Sequence, residues 1–190
     1  MSNKSTVLLV VVGVIIVALF AVSLMMVDIV TVHGNEVGVL ETWKDGVLDE
    51  PKVPKTYILI PGFMKEIYIY DVSSQVFVMN DTAEQIAKGR RQDSYLVQSE
   101  EGQDMRISLN VQWRIDPTKV VHIHKTVRRD IEEKILRPGV MRIVKDSATT
   151  RIAIEAYSGE GLVKLQSEIF DRMVASDGEL RSRGVIVENF

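Results

Sequence analysis

An α+β domain carried behind an N-terminal transmembrane helix is the fold class the sequence predicts. Three observations predict it. Residues 5–27, STVLLVVVGVIIVALFAVSLMMV, contain no charged side chain. From Met105 to Ile115 apolar and polar residues alternate at period two. After Asp130 the apolar period lengthens to three or four. Strands precede helices, and a short strand closes the chain, which is the order of an α+β domain.

The apolar run spans about 34 Å as a helix, against a hydrocarbon core of about 30 Å. A cleaved signal peptide is the competing reading, with Lys4 as its basic end and Ala21-Val22-Ser23 as a small-residue site. The run continues through Leu24-Met25-Met26-Val27 past that site, which favours an uncleaved anchor. The expected layout is a short tail over 1–5, a transmembrane helix over 6–27, a polar linker over 28–34 and one domain over 35–190. Lys4 is the only charge on the short side, so the positive-inside rule leaves the N-terminus in the cytoplasm or matrix and the domain on the opposite face.

Within the domain, Val37, Val39 and Leu40 predict a strand, Asp45-Gly46 a turn, and a second short strand follows. Residues 57–60, 67–70 and 75–79 are three further strands. The first two read as neighbours joined by PGFMKE. Residues 81–95 carry Lys88, Arg90 and Arg91 and read as a solvated loop or short helical turn. Ser99-Glu100-Glu101-Gly102 turns Tyr95-Leu96-Val97 into the long strand MRISLNVQWRI, where Met105, Ile107, Leu109, Val111, Trp113 and Ile115 share one buried face.

Asp116-Pro117 is a turn. Asp130 with Glu133 fits a capping box, and Pro138 ends or kinks the helix so opened or begins the next. Val140, Ile143, Val144, Ala148, Ile152 and Ala156 mark one amphipathic helix. Ser158 caps another with Leu162, Leu165, Ile169 and Met173 on one face. Asp177-Gly178 interrupts it, Gly184 is the C-cap, and Val185 to Val187 begin the last strand.

Chemistry is sparse. The 190 residues include no cysteine, hence no disulfide and no thiolate nucleophile. Net charge is −3, a poor basis for binding nucleic acid through its phosphates. His122-Ile123-His124 has a metal-like spacing and would point both rings one way on a strand, yet a zinc site needs further ligands. His33 stands alone. Gly159-Glu160-Gly161 is no dinucleotide loop, because Lys164 stands where a third glycine belongs. Neither a nucleophile elbow nor a phosphate-loop lysine occurs. Glu100-Glu101 and Glu132-Glu133 are adjacent in sequence without clear convergence and read as solvated or subunit-contact charges. No catalytic residue, cofactor or metal ligand is assigned.

Five stretches, in this order and spacing, carry a family resemblance: GNEVGVL behind the apolar run, YILIPGFMKEIYIYDV, EEGQDMRISLNVQWRIDP, ILRPGVMRIVKDSATTRIAIEAYSGEGLV and LRSRGVIVENF. Over about residues 30–190 the chain resembles the SPFH or Band 7 superfamily of prohibitin, stomatin and flotillin, the prohibitin branch most closely. The resemblance implies a non-enzymatic scaffold. Such proteins form membrane-anchored homo- or hetero-oligomeric rings or cages, organise microdomains and, in prohibitin and its bacterial relatives, enclose an AAA+ membrane protease. It implies an N-terminus inside and a domain outside, in agreement with Lys4. It also implies a long assembly helix after the last strand, where the given sequence ends at Phe190. The competing class is an anchored membrane hydrolase or its accessory subunit.

One segment is expected to touch lipid. In PGFMKE a loop tip carries Phe63 and Met64 where a soluble domain places polar residues. Pro61, Gly62, Phe63, Met64 and Lys65 are the expected membrane-contact residues, with Lys65 toward the headgroups. The alternative is that Phe63 folds back as core.

Overall fold

The computed structural model describes residues 9, 11–19, 21, 28–59, 64–80, 94–175 and 178–190. The chain divides into two compact units, residues 1–70 and 71–190. Both combine as the α+β class requires, with antiparallel strands and segregated helices.

In the first unit residues 11–19 are helical. Most of the remainder of the span expected over 6–27 lies outside the described residues. Among the described residues no helix is long and apolar enough to cross a membrane. Five strands follow: β1 (Asp28–Thr31), β2 (Glu36–Thr42), β3 (Gly46–Val47), β4 (Thr56–Leu59) and β5 (Met64–Asp71). β2 and β3 close over the predicted turn, where Gly46 takes φ +68° and the Thr42 hydroxyl accepts the Asp45 N–H at 3.0 Å. Val32, Leu40, Leu59 and Ile67 form the core, edged by Val30, Leu48 and Tyr57.

Two expectations are corrected here. Residues 28–31 are not linker but strand β1, paired antiparallel with β4. β4 and β5 are therefore not hydrogen-bonded neighbours: β4 pairs with β1, and β5 joins the sheet β3-β2-β5. Proximity in sequence lost to a partner nearly thirty residues upstream, because β1 supplies Val30 to the same core face as Tyr57.

The second unit holds β6 (Gln75–Met79), β7 (Tyr95–Gln98), β8 (Asp104–Ile107), β9 (Leu109–Ile115) and β10 (Val185–Asn189). β9 is central in the sheet β10-β9-β6, with Phe77 opposite Val111, Met79 opposite Leu109 and Val187 opposite Trp113. These six side chains are buried, while Asn110 and Gln112 between them are exposed. The predicted one-sided burial of Met105 to Ile115 therefore stands, with Ile107 half-buried. Its continuity does not. The strand breaks at Ser108, and β8 pairs with β7 in a separate hairpin turned at Gly102, φ +81°.

The helices are α1 (Val120–Thr126), a π-helical turn (Glu132–Leu136) running into α2 (Arg137–Ala148), α3 (Ala153–Tyr157), α4 (Gly159–Val174) and α5 (Glu179–Ser182). No capping box forms at Asp130, which sits at φ +62°, a conformation Asp tolerates, with its carboxylate 3.3 Å from Lys134. The π turn absorbs Pro138: the Arg137 N–H reaches back to Glu132 O, so the proline falls at the start of the α-helical ladder. The helix expected to run from Val140 to Ala156 is two helices. Thr149 and Thr150 return their hydroxyls to Lys145 O and Ser147 O at 2.9 and 3.0 Å, and Ile152 is extended. Ser158 is at the N-cap of α4 in extended conformation, but its hydroxyl donates to Ile154 O rather than capping.

Gly184 ends α5 at φ +90°, and a Cβ there would stand 2.8 Å from Ile123 Cδ1 and 3.0 Å from Lys119 Cβ. Backbone strain and steric conflict act together, so Gly184→Ala should cost about 1–3 kcal/mol. Urea unfolding checks this, and an unchanged midpoint would show that the turn relaxes freely.

Candidate membrane-facing surface

The β1–β4 ribbon has two unlike faces. Its register sets Asp28 opposite Leu59, Ile29 opposite Ile58, Val30 opposite Tyr57 and Thr31 opposite Thr56. Side chains alternate across a strand, so Val30, Tyr57 and Leu59 share the face that meets the core. Tyr57 is fixed further by its hydroxyl, which donates to Val53 O at 2.9 Å, and by Lys55 Nζ, 5.2 Å from its ring centroid. The other face carries Ile29 and Ile58, both exposed, and Thr31 and Thr56, whose hydroxyls lie 3.1 Å apart.

The ribbon bears on the predicted lipid-contact segment. β1 begins one residue after the uncharged run, and Leu59, the last residue of β4, lies beside Asp28. Of the expected contact residues, Pro61, Gly62 and Phe63 lie outside the described residues. Met64 and Lys65 are the first residues of β5 rather than part of a loop tip. The basic cluster Lys88, Arg90 and Arg91 also lies outside the described residues.

The other singled-out residues do not converge. His122 and His124 are on helix α1, not on a strand. Two positions apart on a helix differ by about 200°, so the rings diverge. His122 is exposed and His124 is buried. The apolar Val120-Val121-Ile123 pattern reads as strand or helix alike over so few residues, which is why the spacing misled. Among the described residues no group of three or more His, Asp or Glu is placed to hold a metal ion. His33 is exposed at a turn where its N–H meets Glu36 Oε2 at 2.8 Å.

Glu101 has a role the sequence hid. Its carboxylate accepts the Ala153 N–H at 3.1 Å and so caps α3 from 52 residues away. Glu133 pairs along its own helix with Arg137 at 3.8 Å. Gly159 and Gly161 serve the α3–α4 corner: Gly159 takes φ +60°, and a Cβ on Gly161 would fall 2.2 Å from Glu155 O.

Glu168 joins α4 to the residues before α3. Its hydrogen bond from Arg151, at 2.8 Å, is the main cause holding its carboxyl below the ordinary value, against partial burial and with help from Ser147 and Arg172. Asp116 is also held low: burial opposes ionisation, but the Thr118 hydroxyl and N–H together with Lys119 and Arg181 outweigh it. Both carboxylates tie neighbouring segments together.

An open groove of about 520 Å³ lies between the β8–β9 break and α4, lined by Ser108, Val163, Phe170 and Phe190 among others. It is lined by apolar, amide and hydroxyl side chains and by no titratable side chain.

A family model described as SPFH domain / Band 7 family matches residues 30–190. Comparison with curated proteins finds no match.

Proposed function

The chain belongs to the SPFH domain / Band 7 family, and from that premise we propose that it is a prohibitin-like, membrane-anchored scaffold. An SPFH domain over this length is consistent with a membrane-associated scaffold role and with assembly beside SPFH-like subunits. In this reading residues 6–27 form a single-pass anchor with Lys4 on the cytoplasmic or matrix side. The domain stands on the opposite face, joins homo- or hetero-oligomeric rings or cages, organises the surrounding lipid and restrains membrane proteins such as an AAA+ protease. It does so by occupying and dividing the membrane surface and carries out no catalysis.

The observation that carries the membrane part of this reading is the β1–β4 register. It sets Leu59, two residues before Pro61 in sequence, beside Asp28, the residue that follows the apolar run. In this reading Phe63 and Met64 meet the acyl boundary and Lys65 the headgroup phosphates.

Because the chain has no cysteine, Phe63→Cys gives a unique attachment point for an environment-sensitive dye. Residues 28–190, tethered through an N-terminal His tag to nickel-chelating liposomes, should show a blue-shifted emission absent in solution. A dye already blue-shifted without lipid, or unchanged by tethering, would contradict contact by this segment.

A further inference from the structure

We propose that the groove between strand β9 and helix α4 binds an extended, uncharged polypeptide segment of another protein, which adds to β9 as a further strand. Such capture goes beyond the scaffold reading and does not depend on residues 6–27 spanning the bilayer.

One wall of the groove is an open strand edge. β10 pairs with β9 from Val185 opposite Ile115 to Asn189 opposite Gln112, with a bulge between Val187 and Asn189. The Phe190 N–H then donates to Asn189 Oδ1 at 2.9 Å, within its own chain rather than to the ladder. β9 continues through Val111, Asn110 and Leu109, paired there with β6 on one side only. β8, which precedes β9 in sequence, pairs with β7 instead. Asn189 and Phe190 line the groove and no β6 residue does, so it lies on the β10 side of β9. Three residues of strand, about 10 Å at about 3.4 Å per residue, thus face it. Unpaired N–H and C=O groups along a strand edge are a template for one more strand. Natural edges are ordinarily blunted by charge or proline, and Leu109, Asn110 and Val111 supply neither.

The other wall is α4. Val163 and Phe170, about two turns apart, line it with Gln166 between them. Val163 is 62% exposed, and Phe170 and Phe190 are half-buried. An open strand edge across from a helix is the arrangement in which peptides bind by strand addition. Main-chain hydrogen bonds then hold the backbone, and the groove takes alternate side chains. Its volume of about 520 Å³ falls within the roughly 300–1,000 Å³ of binding clefts.

The lining selects the occupant. An extended polypeptide repeats N–H and C=O groups at the period of β9 itself. No acidic or basic side chain lines the groove, so a charged residue seated there would lose hydration without gaining a counter-charge. Charge matching therefore selects a neutral segment. The carboxamides of Asn110 and Gln166 both donate and accept, which suits peptide groups. Val163, Phe170 and Phe190 offer contact to one bulky apolar side chain.

The probe is the peptide Gly-Ser-Thr-Val-Phe-Val-Thr, amidated and carrying rhodamine on its N-terminus, titrated by fluorescence anisotropy against the full chain in nanodiscs. Saturable binding is expected. N-methylation at every second residue removes the donors on one edge of the extended peptide. One N-methylated phase should bind about tenfold more weakly and the other nearly as the parent. Val163→Lys, at an exposed position, should weaken binding about tenfold, whereas Ile154→Lys, 72% exposed and outside the lining, should leave it unchanged. Both phases binding alike, or Val163→Lys binding as the parent does, would overturn strand addition in this groove. Absence of peptide binding by a chain whose self-association Val163→Lys breaks would assign the edge to a second copy. Absence of binding without such a change would leave the edge without an occupant. Either result overturns the proposal.

Discussion

Replacing Trp113 by alanine should lower stability by about 3–5 kcal/mol, the ordinary cost of truncating a buried large aromatic. Trp113 sits mid-way along the central strand β9, opposite Gln75 of β6 and Val187 of β10, and is 2% exposed. Three strands therefore share the loss. The indole Nε1 is buried without a hydrogen-bond partner among the described residues, so tryptophan is kept here for volume rather than polarity. Trp113→Phe removes that donor and keeps most of the ring, and should cost much less than alanine. Urea unfolding of the two variants checks the pair. An alanine variant with an unchanged midpoint would mean that the ring does not hold the sheet together.

Trp113 also shows what the sequence makes legible. Its burial follows from parity alone, because Leu109, Val111, Trp113 and Ile115 keep one face whichever strands lie beside them. The hairpin over Ser99–Gly102 and the turn at Asp45-Gly46 were equally readable, since each needs a glycine at positive φ that the sequence supplies. Leu165, Ile169 and Met173 disclosed the buried face of α4 through spacing, whereas Leu162, expected on the same face, is exposed.

The failures share a cause: the deciding partner was distant in sequence. Parity runs unbroken through Ser108, so periodicity cannot reveal that β8 and β9 change partners there. The apolar spacing from Val140 to Ala156 likewise continues across a helix break made by two threonine hydroxyls and capped by Glu101. Asp28–Thr31 looked like linker because four residues of mixed polarity carry no period until β4 is known to pair with them. The candidate site shares this limit. Its residues Ile29 and Ile58 are unremarkable singly and become a surface only through the register.

Removing residues 1–27 should move the protein from the membrane to the aqueous phase while leaving the domain folded. The cores of both units are built from residues after Asp28, so cooperative unfolding should persist. The remaining proposed lipid contacts, in the Pro61–Lys65 segment, offer only two large apolar side chains, Phe63 and Met64. That is comparable to or less than a single acyl chain, which alone binds membranes marginally and reversibly. The uncharged run from Ser5 to Val27 is long enough to insert in a way that is effectively irreversible. The direct measurement is alkaline carbonate washing of membranes containing the full chain, followed by intact-mass determination. The account predicts recovery in the pellet with the N-terminal segment still attached. Release into the supernatant, or a mature chain beginning near Leu24, would contradict it.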